Sequence, residues 1–249
     1  MATRLYNAGK PLAAITILDD VGLANALALY VRHVVFRSYP AGETFQMSNI
    51  TSVANAQAEA VKVWGNHQGV IANLDKRIFI QTRNEKGINQ FDYAYEVQIM
   101  QLAEAQGRKA GLFGDSVGTP DAVAWAWRIP ALRWAMTHGH AVIRHDYGPW
   151  VNGQPSNLPV SDPDGFQYYG GRTIALYASV PADCKPLFIN GETGNSSAYP
   201  QPGSLADIRA YNALVPYPWY GGFCWWGMGA SKYNANGLLP GIEEIVMSL

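Results

Sequence analysis

The stretch Ile78-Phe79-Ile80-Gln81-Thr82-Arg83-Asn84-Glu85 runs from an apolar start to a polar end that closes on a carboxylate. It reads as a buried β-strand delivering a glutamate at its C-terminal end. Pro186-Leu187-Phe188-Ile189-Asn190-Gly191-Glu192 repeats the arrangement farther along the chain. Two carboxylates at the ends of buried strands, with helices between them, predict a paired-carboxylate site at the C-terminal mouth of a β/α barrel.

Working outward from these runs, strand-like and helix-like segments alternate, which predicts a parallel α/β fold. Ala14–Leu18 and Val34–Tyr39 read as strands with a helix over Leu23–Val31 between them, and Ser52 reads as the N-cap of an Ala-rich helix reaching at least Trp64. After Glu85, the spacing of Phe91, Tyr95, Ile99 and Leu102 predicts a helix that Gly107 ends. Strands near Ala110 and Ala141 follow, separated by a helix that starts with Thr119 as N-cap and is split by Pro130. The Pro- and aromatic-rich segment 148–170 is too long for a simple connector and reads as a lid or a wall of a binding cleft. A helix near Thr173–Ser179, the Glu192 strand, a helix opening at Ser204, a strand over Gly222–Trp226 and a closing helix near Ile242–Met247 complete the pattern.

Seven βα units emerge, and the expected architecture is one domain over residues 1–249: a TIM (β/α)₈-type barrel with its first strand missing or obscured. The eighth strand would lie either between Thr51 and Lys76 or upstream of Met1–Lys10, which reads as the tail of a helix. A barrel left open in this way exposes sheet edge, so self-association or a larger assembly is expected there.

Bulk properties narrow the function. The chain has 249 residues, 48% of them apolar, enough for one large core. A formal charge of −1 with 15% charged residues offers no basic footprint for nucleic acid, and no apolar run reaches a membrane span. No charged-then-apolar leader opens the chain, so a cytoplasmic or processed form is expected. Cys184 and Cys224 fall at different heights of the expected barrel and lack metal-ligand spacing, so free thiols are expected. Eight Trp and fourteen Tyr suit either core filling or the apolar platforms of a sugar cleft.

The expected strand ends bring together Asp19/Asp20, Arg37/Tyr39, Asn84/Glu85, Asp115/Ser116, His145/Asp146/Tyr147, Glu192 and Trp225/Trp226. Asn84-Glu85 at one strand end, His145-Asp146-Tyr147 two strands on, Glu192 on the next strand and Trp225-Trp226 on the last form an ordered series. That series resembles the clan of retaining glycoside hydrolases on (β/α)₈ barrels, with acid/base and nucleophile glutamates on strands four and seven. The resemblance spans roughly Ala14 to Gly229. It implies Glu85 as general acid/base, Glu192 as nucleophile, Asn84 as donor to the sugar 2-hydroxyl and Tyr147 as the residue holding the nucleophile, with His145 nearby. It further implies a β-linked glycan as substrate, cleaved by double displacement without a cofactor.

On physical grounds one carboxyl must be held protonated and the other ionised, and Arg37 and Tyr147 are candidate donors for Glu192. Trp225 and Trp226 are candidate sugar platforms, of which alternation along the strand turns only one toward the mouth. Other chemistries fit less well. The aspartates lie on different strands without a ligand motif, Gly191-Glu192-Thr193-Gly194 lacks a phosphate cradle, and Ser116 misses the nucleophile-elbow spacing. A second expectation is a non-catalytic carbohydrate-binding barrel or structural module. Lys86 after Glu85, where the glycosidase pattern has proline, and the unclear first strand point that way.

Overall fold

The computed structural model describes residues 2–38, 45–116, 119–147, 150–151, 154–155, 172–194 and 217–225. Within them, β1 (Ala14–Leu18), β2 (His33–Arg37), β3 (Phe79–Gln81), β4 (Lys109–Asp115), β5 (Ala141–Tyr147), β8 (Leu187–Gly194) and β9 (Tyr220–Trp225) form one all-parallel sheet in the order β1-β2-β3-β4-β5-β8-β9. A small antiparallel hairpin, β6 (Trp150–Val151) with β7 (Gln154–Pro155), follows β5. The sheet curls until β9 lies against β1. A Cβ on Gly222 would sit 2.7 Å from Ala13 Cβ, so glycine is what lets the first and last strands approach. The result is a nearly closed α/β barrel of TIM type.

The helices pack outside. They are α1 (Ala2–Asn7), α2 (Val21–Leu27), α3 (Val53–Ile71), α4 (Asp92–Glu104), α5 (Ala122–Trp127), α6 (Ile129–His138) and α7 (Arg172–Ala178). Ser52 caps α3 by accepting from the Asn55 amide, and that helix fills the interval where an extra strand was sought. The N-terminal segment is helical, as its sequence suggests. Pro130 lies in the first turn of α6 and separates it from α5 at Arg128. One expected cap differs: Asp121 rather than Thr119 caps α5, because its carboxylate is the acceptor that reaches the Ala124 amide. Both cysteines are buried free thiols, and burial pushes Cys224 up to about 12.

Strand alternation divides the core in two. Val34, Phe36, Ile78, Ile80, Leu112, Val142 and Phe188 face outward into a large cluster with the helices. Ala14, Val35, Phe79, Ala141, Ile143, Ile189 and Cys224 face inward and fill the barrel. One pleat beyond this apolar plug, the inward positions become Arg37 after Val35, Gln81 after Phe79, and His145 after Ile143. Period-two geometry therefore stacks a polar layer on the apolar one at the C-terminal mouth.

Candidate active site

Two strand irregularities set the glutamates. In β8 the pairing with β5 slips between Arg144↔Asn190 and His145↔Glu192, which makes Gly191 an extra residue. Strict alternation from the inward Ile189 would turn Glu192 outward; the bulge brings it beside His145. A Cβ at Gly191 would lie 2.6 Å from Ile143 Cγ2, so only glycine fits the bulge against the plug. Gly191→Ala is expected to cost about 1–3 kcal/mol by overpacking and to displace Glu192. Urea denaturation with a parallel assay of turnover checks it, and an unchanged protein by both measures would contradict it.

The second irregularity lies in β4, where the register shifts between Phe113 and Asp115. Phe113 and Gly114 both take positive φ, 71° and 57°. The freed Gly114 carbonyl accepts from the Glu85 amide at 2.7 Å, and Glu85 itself takes φ 53°. A Cβ on Gly114 would sit 2.5 Å from the Arg83 carbonyl oxygen, so the bulge wraps closely around the Asn84-Glu85 loop. The β3 ladder stops at Gln81, shorter than its apolar sequence suggests, and residues 82–85 leave the sheet to follow this bulge.

Arg37 links the pieces. Its guanidinium donates to Asn84 Oδ1 at 2.5 Å and forms a short salt bridge to Glu192 Oε1. It also lies 3.3 Å from His145 Nε2. Because arginine can only donate, Nε2 of His145 accepts, which assigns the ring proton to Nδ1. That Nδ1 is 3.0 Å from Glu85 Oε1, and Nε2 is 3.7 Å from Glu192 Oε1. The imidazole thus bonds Glu85 directly and is joined to Glu192 through Arg37. The hydrogen bond from His145 holds the Glu85 carboxyl below its usual range, helped by Arg37 and opposed by burial.

The two glutamates differ in exposure: 42% of the Glu85 side chain is accessible and only 7% of that of Glu192. Asn84 spends its oxygen on Arg37 and, at 3.4 Å, Gln81 Nε2, which leaves its amide nitrogen as the donor end. Arg37, Asn84, Glu85, His145 and Glu192 are therefore brought together. Tyr147 and Trp225 end β5 and β9, but their side chains lie outside the described residues, as do Tyr39, Trp226, most of segment 148–170 and the expected helices near Ser204 and Ile242.

Asp115 is not part of this mouth. The β4 bulge turns it outward to Arg128, which contacts it at 2.5 and 2.9 Å. Arg128 also reaches Asp92 at 2.5 Å, and Arg83 reaches Asp92 and Glu96, both at 3.1 Å. This buried cluster of two arginines and three acids underlies the Asn84-Glu85 loop. Arg83 donates to the Phe113 carbonyl at 2.7 Å and Glu96 accepts the Phe113 amide at 2.9 Å, so the cluster fixes the bulge that carries Glu85. Burial raises Glu96 to about 7 against the pull of Arg83. Asp20 likewise serves locally as the N-cap of α2. No group of His, Cys, Asp and Glu fit to hold a metal ion occurs among the described residues.

No protein-family model matches the chain, and no curated protein is found similar to it in sequence. Solved structures similar in shape include a GH128 (subgroup I) endo-β-1,3-glucanase from Amycolatopsis mediterranei in complex with laminaritriose. It is 14% identical with a TM-score of 0.42, over 86% of this chain and 87% of that one. The GH39 enzyme from Xanthomonas axonopodis pv. citri is 15% identical with a TM-score of 0.43, over 80% of this chain and 44% of that one. A monomeric β-xylosidase from Caulobacter crescentus CB15 is 11% identical with a TM-score of 0.43, over 86% and 59%. The chain thus spans most of the first and about half of the other two.

Proposed function

We propose that this protein is a glycoside hydrolase that cleaves a β-linked glycan by a retaining double displacement, with Glu192 as nucleophile and Glu85 as acid/base. The observation that supports this reading is the Arg37–His145 pair, in which Arg37 bonds Glu192 and His145 bonds Glu85 while the guanidinium meets the imidazole, so that one network joins two carboxylates from different strands. The buried Glu192, aimed by Arg37, suits attack on the anomeric carbon. The half-exposed Glu85 suits exchange of protons with a leaving group and with water.

In the first step a Glu192 oxygen bonds to the anomeric carbon while the glycosidic C–O bond breaks and Glu85 gives its proton to the departing oxygen. In the second, Glu85 takes a proton from water, the water oxygen bonds to the anomeric carbon, and the Glu192 ester is released. Asn84 Nδ2 donates to the sugar 2-hydroxyl. His145 holds Glu85 ionised at rest; a glycosidic oxygen that takes the place of that contact removes the pull and desolvates the carboxyl, which raises its pKa toward that of an acid. Tyr147, Trp225 and Trp226 are assigned to substrate binding in the same scheme.

Proton NMR of the first product formed from a panel of aryl β-glycosides tests the proposal. The β-anomer appears first and mutarotates later if the displacement is double. The α-anomer appearing first would overturn it. The grip of His145 on Glu85 favours the second reading, a sugar-binding barrel; oligosaccharide binding without turnover of any panel member would establish that reading instead.

A further inference from the structure

At the opposite, N-terminal mouth of the barrel lies a cavity of about 760 Å³. Arg32, Lys76, Arg77, Lys109 and Lys185 line it, five of the 18 Lys and Arg of a chain whose formal charge is −1, and among the described residues no Asp or Glu does. Positive charge is therefore concentrated at this end. Arg77 is matched by Asp75, which it meets at 2.9 and 2.8 Å. The other four make no ion pair among the described residues. They come from four connections: Arg32 before β2, Lys76 before β3, Lys109 opening β4, and Lys185 before β8. Side chains scattered on a solvated surface would diverge, whereas these share one concavity with an apolar floor of Phe79, Leu187 and Trp219. Cations over low-dielectric walls focus their field into such a space.

The imidazoles at the wall register that field. His33, beside the Phe79 ring, is lowered by burial and then by Arg32 and Lys109. His140 is lowered by burial, with Lys109 and His138 adding to the effect and Glu104 opposing it. His140 accepts the Ala110 amide on Nδ1 and so donates from Nε2 to Glu104, a pairing that fixes its single proton. His33 is the ring left to respond.

We propose that this cavity binds a compact oligophosphate, whose charges meet Arg32, Lys76, Lys109 and Lys185. The site is separate from the glutamate mouth and independent of the function proposed for it. Inorganic tripolyphosphate is the probe, with sulfate at matched ionic strength as control. Calorimetry is expected to give one site per chain, weakening with added salt. In a titration followed by NMR, bound tripolyphosphate moves the His33 pKa upward, because the added anions favour the imidazolium.

The double variant Lys76→Glu/Lys109→Glu changes exposed residues far from Glu85 and Glu192. It is expected to bind at least about tenfold more weakly while keeping its circular dichroism spectrum and its turnover. Tripolyphosphate binding no tighter than sulfate, or equally tightly to the folded double variant, would overturn the proposal.

Discussion

Arg128→Met destabilises the fold by about 3–5 kcal/mol, the scale on which a buried ion pair fails when one partner is removed. Arg128 is fully buried, as is Asp92, and Asp115 is nearly so. Methionine replaces the apolar stem of the side chain but ends short of the guanidinium and supplies no donors, so Asp115 loses its two short contacts and Asp92 keeps only Arg83. The guanidinium also stacks 4.1 Å from the Phe113 ring centroid, so the bulge under Glu85 loses packing as well. Urea denaturation at neutral pH measures the effect, and a loss under about 1 kcal/mol would mean that the aspartates find other partners.

The pH dependence of this cluster has a definite sign. Burial opposes the Asp92 carboxylate, but Arg83 and Arg128 outweigh it and hold the carboxyl below its usual range. Its contribution to stability is present above the unfolded-state pKa and is lost as acid takes pH through the folded one. Glu96 behaves oppositely. Raised from 4.5 to about 7, it contributes most below pH 4.5, and that contribution is lost as pH rises through about 7. Glu96→Gln removes this second slope, so the variant should lose less stability than the parent between pH 5 and 8, as read by thermal denaturation. Parallel stability profiles for the two proteins would contradict a proton held at Glu96.

The largest expected effect on activity comes from Glu192→Ala, which removes the proposed nucleophile and is expected to lower kcat/KM for an aryl β-glycoside by about 10⁴-fold or more. Glu85→Ala behaves differently because protonation matters in proportion to the leaving group. A poor leaving group should lose about 10²–10⁴-fold and a strongly activated phenol less in the first step. Equal losses for both leaving groups would remove Glu85 from the acid role. Full activity in either variant would remove that glutamate from catalysis.

Much of the barrel is legible in the sequence because buried parallel strands are written as short apolar runs, and Ile78–Ile80, Ala141–Ile143 and Leu187–Ile189 are all of this kind. The polar ends are legible for the same reason: Arg37 and His145 follow inward-facing Val35 and Ile143 by one pleat. What is not legible is anything set by a bulge. A regular continuation of β4 gives no reason to send Asp115 outward, and a regular β8 would misdirect Glu192. Gly114 and Gly191 are the signals, each a glycine next to a carboxylate within a strand-like run.

The ionic cluster is hidden for another reason. Asp92 and Glu96 stand four residues apart on α4, in line with the buried Tyr95 and Ile99. Two acids on the apolar face of a helix signal buried cations, but nothing local says that Arg83 and Arg128 supply them. Such pairing depends on β3 and the α5–α6 break meeting across the helix layer, which is tertiary geometry. The basic cavity is equally non-local, since its cations are spread over four connections.

The central claim is that Glu192 attacks the anomeric carbon from a site shared with Glu85. Supplying azide to Glu192→Ala with an activated aryl β-glycoside tests it most directly. The account predicts recovered turnover and an α-glycosyl azide, because the small anion occupies the place of the missing carboxylate and attacks from the same side. Failure of azide to restore turnover, or a β-glycosyl azide as the product, would contradict it.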